Sequence, residues 1–318
     1  MISCNYMKRT KVVYLCLALV MFLACYMSVG CTSVDPKPTV TPVGVVVTDA
    51  LGQRVSFDAI PRRIATISPT ATEILYLVGG SSILRDRSSN FPDHVREIPD
   101  VGSAYNPSIE KILAERPDLV IIEALTQARF VGQFKESGLN VLAVKAVTLD
   151  DIKTSIENVG EVVGRKGLAE EEIASIETRL ASAGNEDGRT VLMLISDQDR
   201  NLYAALPESY TGLIASTLGM DNLAAGLPDS GPYPGFAMMS TEVILASDPD
   251  IIVTISPAPE PAPRLSDTLL QIPPFKSLKA IRNGDILEVD VQLFLQSPGP
   301  RIVEAVEFLK EKLSPGAS

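Results

Sequence analysis

The chain has 318 residues, 46% of them hydrophobic, enough for about two domains with sizeable cores. Its net charge is −11, from 28 basic and 39 acidic residues, and an acidic body repels phosphate backbones, so no nucleic-acid partner is expected. All four cysteines lie at or before Cys31 and the one histidine is His94, which leaves the body without the parts of a zinc-thiolate site, a disulfide or a thiol nucleophile; no catalytic residue and no metal site is expected.

Residues 1–30 carry Lys8, Arg9 and Lys11, then an uncharged apolar run over 12–29. Gly30 and Cys31 follow, ahead of a polar stretch with prolines at 36, 38 and 42. Basic start, apolar centre and small-residue end are the order of a secretion signal. The run is also long enough to span a bilayer, so an uncleaved helix is the alternative anchor. Either way the body is expected outside the cytoplasmic membrane. Residues 31–44 form a tether.

The body opens with an expected hairpin, strands 45–48 and 54–57, and a strand over 63–67. Ser68-Pro69-Thr70 starts a helix that runs through Val78 and is closed by Gly79-Gly80. A short strand at 83–84 and a loop over 88–100 precede a return to the sheet at 101–102. Residues 108–123, SIEKILAERPDLVIIE, are expected as helix, turn and buried strand. Ser108 can cap the helix, Glu110 sits in its first turn, Pro117 ends it, and residues 119–122 form a strand buried on both faces. A helix near 127–137 and a strand over 141–144 complete a lobe. Strands alternating with helices imply α/β with a mostly parallel sheet.

Residues 149–183 differ. Ile152, Ile156, Val159 and Val163 are spaced 4-3-4, and Ile173, Ile176 and Leu180 3-4, which predicts two helical segments meeting around 164–167. They form a candidate rigid connector. A strand over 190–195 and a helix over 211–218, stopped by Gly219, start a second lobe. From Ser240 the sequence STEVILASDPDIIVTI echoes residues 108–123, with seven identities in the first eleven positions, so the lobe is read as duplicated. A proline-rich loop over 257–263, a strand over 286–289 and an amphipathic helix over 302–313 finish the chain. The expected organisation is signal 1–30, tether 31–44, first lobe 45–148, connector 149–186 and second lobe 187–318.

In open α/β sheets ligands sit beyond the carboxyl ends of the strands. In the first lobe that rule points to Ser68, Pro69, Thr70, Ser103, Tyr105 and the segment from Glu123 to Gln127. In the second it points to Tyr203, Tyr233, Phe236, Ser256 and Phe294. Arg87 either faces the cleft to meet an anionic group or joins Arg85 and Asp86 in a self-paired cluster. Arg301 carries the same double reading. His94 lies in a loop and reads as a surface residue.

From about Asp49 to Leu313 the chain resembles the substrate-binding proteins of ABC importers for ferric siderophores, haem and vitamin B12, the Fe/B12 or class III periplasmic-binding family. The segments that carry the resemblance are Arg63-Ile-Ala-Thr-Ile-Ser-Pro with Thr72-Glu73, Pro107-Ser-Ile-Glu110 with Arg116-Pro-Asp118, and Ser240-Thr-Glu242 with Pro249-Asp250. Ile272-Pro-Pro-Phe275, with Leu278-Lys-Ala-Ile, and Pro298-Gly-Pro-Arg301 complete the series, in family order. The leader resembles a lipoprotein signal with Cys31 as the lipidated residue, although Ser28 stands where Leu is usual. The resemblance implies two Rossmann-like three-layer α/β lobes with mostly parallel sheets, joined by a long rigid helix and enclosing a ligand cleft. It implies a monomeric, lipid-anchored binding component that captures a metal chelate (ferric siderophore, haem or cobalamin), with no covalent cofactor, and delivers it to a permease and its ATPase. It also gives Glu110 and Glu242 a role as permease-docking acids; the alternative is that each only stabilises its helix start. A competing expectation is an α/β chelatase- or hydrolase-like enzyme on the same scaffold, against which stand the missing Cys and His, the lack of a G-x-S-x-G elbow and the lack of a glycine-rich phosphate loop.

Overall fold

The computed structural model describes residues 44–184, 186–258 and 261–314. The signal segment, Cys31 and nearly all of the tether lie outside them. In the first lobe, β1 (Val45–Thr48) and β2 (Arg54–Phe57) pair as an antiparallel hairpin. β3 (Ile64–Thr66) leads into α1 (Pro69–Leu77), and the short pair β4 (Gly102–Ser103) and β5 (Asn106–Pro107) into α2 (Ile109–Glu115). β6 (Leu119–Glu123) is followed by α3 (Ala124–Gln127) and α4 (Val131–Glu136), then β7 (Val141–Val144). The sheet is parallel in the order β3-β6-β7. Single bridges from Leu84 to Ala65 and from Arg85 to Asp100 extend it, in place of the expected strand at 83–84.

The connector consists of α5 (Leu149–Val162) and α6 (Lys166–Ala183). They meet at Gly164, whose φ of +69° favours glycine and where a Cβ would come within 2.6 Å of Ile60. In the second lobe, β8 (Thr190–Ser196), β9 (Leu202–Ala205), α7 (Tyr210–Thr217), β10 (Asp221–Asn222) and β11 (Phe236–Met239) precede α8 (Thr241–Ser247) and β12 (Ile251–Ile255). Then come α9 (Leu265–Leu270), α10 (Lys279–Asn283), β13 (Ile286–Val289), a single π turn over Gln292–Gln296, and α11 (Ile302–Leu313). The sheet order is β11-β9-β8-β12-β13, with β10 beside the start of β8. β8, β10, β12 and β13 are parallel, while β9 and β11 form an antiparallel edge. Those two strands had no sequence signal, because Leu-Tyr-Ala-Ala and Phe-Ala-Met-Met show no two-residue alternation and alanine has weak strand preference.

Successive strand residues face opposite sides, and both sides are covered. Ile64, Leu119 and Ile121 enter one core, whereas Ala65, Val120 and Ile122 enter another. Ile152, Ile156, Val159, Ile176 and Leu180 of the connector join the first of these cores, together with Val191, Met193 and Ile195 of the second lobe. One apolar core therefore runs from lobe to lobe through the connector.

The duplicated stretch shows what its shared residues do. Ser108 and Ser240 cap α2 and α8 through the amides of Lys111 and Val243. Both helices end on a left-handed residue, Arg116 at φ 48° and Asp248 at φ 37°. The aspartate of each Pro-Asp pair then ties two strand starts together. Asp118 Oδ2 accepts from the amides of Arg62 and Arg63, each at 2.9 Å, at the foot of β3. Asp250 Oδ2 accepts from the amide of Thr190 at 2.9 Å and its hydroxyl at 2.8 Å, at the foot of β8.

One buried ion pair joins the lobes. Arg301, just ahead of α11, donates from Nε and a terminal nitrogen to the two carboxylate oxygens of Glu73 in α1, at 3.0 and 2.8 Å. The side chains are 14% and 3% exposed. The guanidinium also lies 4.2 Å from the centroid of the Phe91 ring, a first-lobe contact. Burial pushes the Glu73 carboxyl up from its ordinary value, and the Arg301 hydrogen bonds only partly offset this.

Two outcomes test this account. Arg301→Ala leaves the Glu73 carboxylate buried without its partner and should cost about 3–5 kcal/mol in urea denaturation, whereas the double change Glu73→Leu with Arg301→Met should cost far less. Asp118 is held below the ordinary carboxylate range by the Arg62 and Arg63 amides, and Asp250 by the Lys279 ammonium and then by Thr190. A lowered folded value means that the stabilisation is complete above the ordinary Asp range and is lost as pH falls through the folded value. Asp118→Ala should therefore cost at most about 1 kcal/mol at neutral pH, and thermal melts of variant and parent should converge as the pH drops below that range.

Candidate functional site

A cleft of about 830 Å³ separates the lobes at the carboxyl ends of their strands. Arg87 and Ser88 form its first-lobe side; residues 256–258, Arg264, residues 288–292 and Gln296 form the other. Its size is that of small-molecule sites.

A buried polar chain sets the first wall. Asp86 is fully buried; one carboxylate oxygen accepts from the Ser88 amide at 2.7 Å and the other from the Ser89 hydroxyl. The Ser89 hydroxyl meets that of Thr72 at 2.8 Å, and Thr72 donates to Thr66 at 2.7 Å. Burial pushes the Asp86 carboxyl up, against the opposing hydrogen bonds of Ser89 and Ser88. Arg85 folds back onto the carbonyls of Ile98 and Asp86. Arg87 is therefore the outward member of the trio, with its side chain 73% exposed and Asp100 at 3.8 Å.

On the opposite wall, Ser256 Oγ accepts from the Leu265 amide at 2.8 Å. Glu288 Oε2 accepts from the Thr254 hydroxyl at 2.8 Å and the Ser266 amide at 3.1 Å. Asp290 Oδ1 accepts from the Leu293 amide at 2.8 Å, and Gln292 donates to the Gln296 side-chain oxygen.

An aromatic group stands on the second lobe. The Tyr233 ring packs edge-on against Tyr203 and Phe236, with centroids at 5.6 and 6.4 Å. The Tyr203 hydroxyl donates to Asp197 at 2.8 Å. The Tyr233 phenol is pushed up by burial, then by the Asp197 carboxylate, then by Tyr105. Tyr105 is 67% exposed. Its turn is held by Ser103 Oγ, which accepts the Tyr105 amide at 3.2 Å, and by Arg129, which donates to the Tyr105 carbonyl. Buried Gln127 donates to the carbonyls of Ile67 and Ala104 and accepts from the Glu123 amide, so it staples this turn to the ends of β3 and β6.

Of the residues expected at the site, Arg87 and Ser256 line the cleft, half-buried Tyr233 packs against buried Tyr203, Tyr105 is exposed, and Ser103 shapes the Tyr105 turn. The others do structural work. Ser68, Pro69 and Thr70 are buried as the start of α1, with Ser68 Oγ accepting the Ala71 amide at 3.1 Å. The Glu123 carboxylate caps α3, accepting from the Leu125 and Thr126 amides and the Thr126 hydroxyl. Phe236 is 2% exposed. Phe294 is fully buried against Phe308, because the π turn points it into the core, where Thr211 donates to its carbonyl at 2.7 Å. Arg301 is committed to Glu73. Glu288, Asp290 and Gln292 were missed, although Asp290 follows β13 directly and the strand-end rule leads to it. His94 packs edge-on against Tyr76 at 5.2 Å, away from the lining residues. Glu110 and Glu242 are both exposed in the first turns of α2 and α8, and neither forms an ion pair among the described residues. The Glu242 carboxyl is held below its ordinary value by its own backbone amide and the Ser240 hydroxyl.

The same two-lobed arrangement occurs in known proteins. The chain is 26% identical over 316 residues to an uncharacterized ABC transporter substrate-binding lipoprotein, YvrC, of Bacillus subtilis, covering 93% of this chain and 95% of that one. It is 23% identical over 264 residues to a cobalamin-binding protein of Halobacterium salinarum, covering 80% and 70%. The structure of the petrobactin-binding protein YclQ of Bacillus subtilis superposes with a TM-score of 0.74 over 85% of this chain and 99% of that one, at 19% identity, and so shares the fold. The family model for the periplasmic binding proteins matches residues 64–293, from the first strand of the parallel sheet to the π turn beyond the last, and the chain belongs to that family.

Proposed function

We propose that this protein is the extracytoplasmic substrate-binding component of an ABC importer, which captures a metal chelate (a ferric siderophore, haem or cobalamin) between its lobes and delivers it to a permease and ATPase. The observation that carries the reading is the cleft of about 830 Å³ at the strand ends, with polar walls on both lobes, in a chain of this family. Similarity to a substrate-binding lipoprotein along nearly its whole length supports the importer role. A binding module suits the site better than an enzyme, since among the described residues the cleft lining contains no histidine, cysteine or lysine and each of its two carboxylates accepts a hydrogen bond from the wall. The protein is read as a monomer anchored by lipid on Cys31.

Equilibrium dialysis against cobalamin, haem and a panel of ferric siderophores should recover one chelate bound one-to-one and unmodified; binding of none would overturn the reading, and turnover of one would replace it with an enzyme. Glu110 and Glu242 offer the permease two exposed acids, one per lobe. Changing both to Arg should leave chelate binding intact and weaken permease binding by about tenfold or more, since the family resemblance implies that these acids dock on permease arginines and like charges would then meet across the interface. Labelled palmitate should be incorporated into the parent chain and not into Cys31→Ser.

A further inference from the structure

The two walls of the cleft differ in what they offer a ligand. The first lobe presents the exposed donor Arg87. The second presents acceptors. Glu288 uses Oε2 on Thr254 and Ser266, while its Oε1 is buried and has no hydrogen-bond partner among the described residues. Gln292 uses its nitrogen on Gln296, and its Oε1 is likewise buried without a partner among the described residues. Buried polar atoms are paired in the great majority of cases, so two without partners within five residues of the cleft lining mark a place where pairing comes from outside the chain. The cleft lining also carries two carboxylates, Glu288 and Asp290, which a polyanion would face as like charges.

We infer that the polar end of this cleft takes primary carboxamide arms, and that the ligand is a corrinoid carrying such arms rather than a carboxylate-bearing haem or an anionic siderophore complex. A carboxamide matches both walls, because its oxygen accepts from Arg87 while its NH₂ donates to Glu288 Oε1 and Gln292 Oε1. A carboxylate arm has no donor for the second wall and would meet Glu288 as a like charge. The corrin ring carries these amides around its rim, so one ligand can offer several of them to the two walls. The similar cobalamin-binding protein is consistent with this choice. The inference rests on the importer reading and narrows its ligand.

Titration calorimetry on the full chain tests it with dicyanocobinamide, cobyrinic acid (the same ring with carboxylates in place of the amides), haem and an anionic ferric tris-catecholate. Cobinamide should bind at least about 100-fold more tightly than cobyrinic acid, from two or more hydrogen bonds lost and one repulsion gained. Glu288→Gln keeps an oxygen for Thr254 and Ser266 but turns an NH₂ toward the amide arm, so it should weaken cobinamide binding about tenfold or more at an unchanged melting temperature. Gln292→Met removes the second acceptor without adding a charge and should weaken it several-fold. Equal affinity for cobinamide and cobyrinic acid, parent-like binding in both variants, or preference for haem or the catecholate would overturn the carboxamide assignment and leave the importer reading standing. Binding of none of the four, nor of any chelate in the wider panel, would remove both.

Discussion

The relation between the lobes depends on the Glu73–Arg301 pair. Each charge loses most of its water, and removal of a charge from water costs several kcal/mol per ion after relaxation. The pair is tolerable because its geometry is bidentate and the Phe91 ring covers the guanidinium. The same requirement makes it specific: lobes rotated by a few ångströms would leave a carboxylate in the interior alone. Together with the apolar core that continues through α5 and α6, it gives the two lobes one preferred arrangement and the cleft a defined width.

Within each lobe, the duplicated stretch solves one problem twice. A short capped helix must hand over to a central strand whose first residue is in register with its neighbour. The left-handed residue at the helix end turns the chain, the proline prevents the helix from continuing, and the aspartate receives the amides of the neighbouring strand's start. The acids at 110 and 242 are exposed in the first turns of these helices, in equivalent positions on the two lobes.

Much of this was legible in the chain itself. The helix starting at Ser68, the paired helix-strand units, the strand at 286–289 and the two connector helices all follow from caps, periodicity and breakers, which act over a few residues. The antiparallel edge strands β9 and β11 did not, because their stability comes from pairing with each other and with β8, not from local preference. The site was legible in outline only. The strand-end rule led to loops that border the cleft, but whether a given side chain turned inward or outward depended on neighbours far away in sequence: Phe294 was turned in by the π turn against Thr211 and Phe308, and Asp86 was buried with Ser89, whose hydroxyl meets Thr72.

The sequence by itself determined the class of fold, the repetition of the lobe, the poverty of metal-binding and nucleophilic groups in the body, and the resemblance to chelate-importing proteins. These are properties of composition, period and order, and they do not need coordinates. Only the tertiary structure decided that Arg301 pairs with Glu73 rather than facing a ligand, that Glu123 caps a helix, and that Glu288 and Gln292 hold acceptor oxygens without partners among the described residues beside the cleft. Hydrogen-bond satisfaction is a property of the packed whole. A carboxylate or amide has the same letters in either role, and the roles separate only when the donors around it are in place.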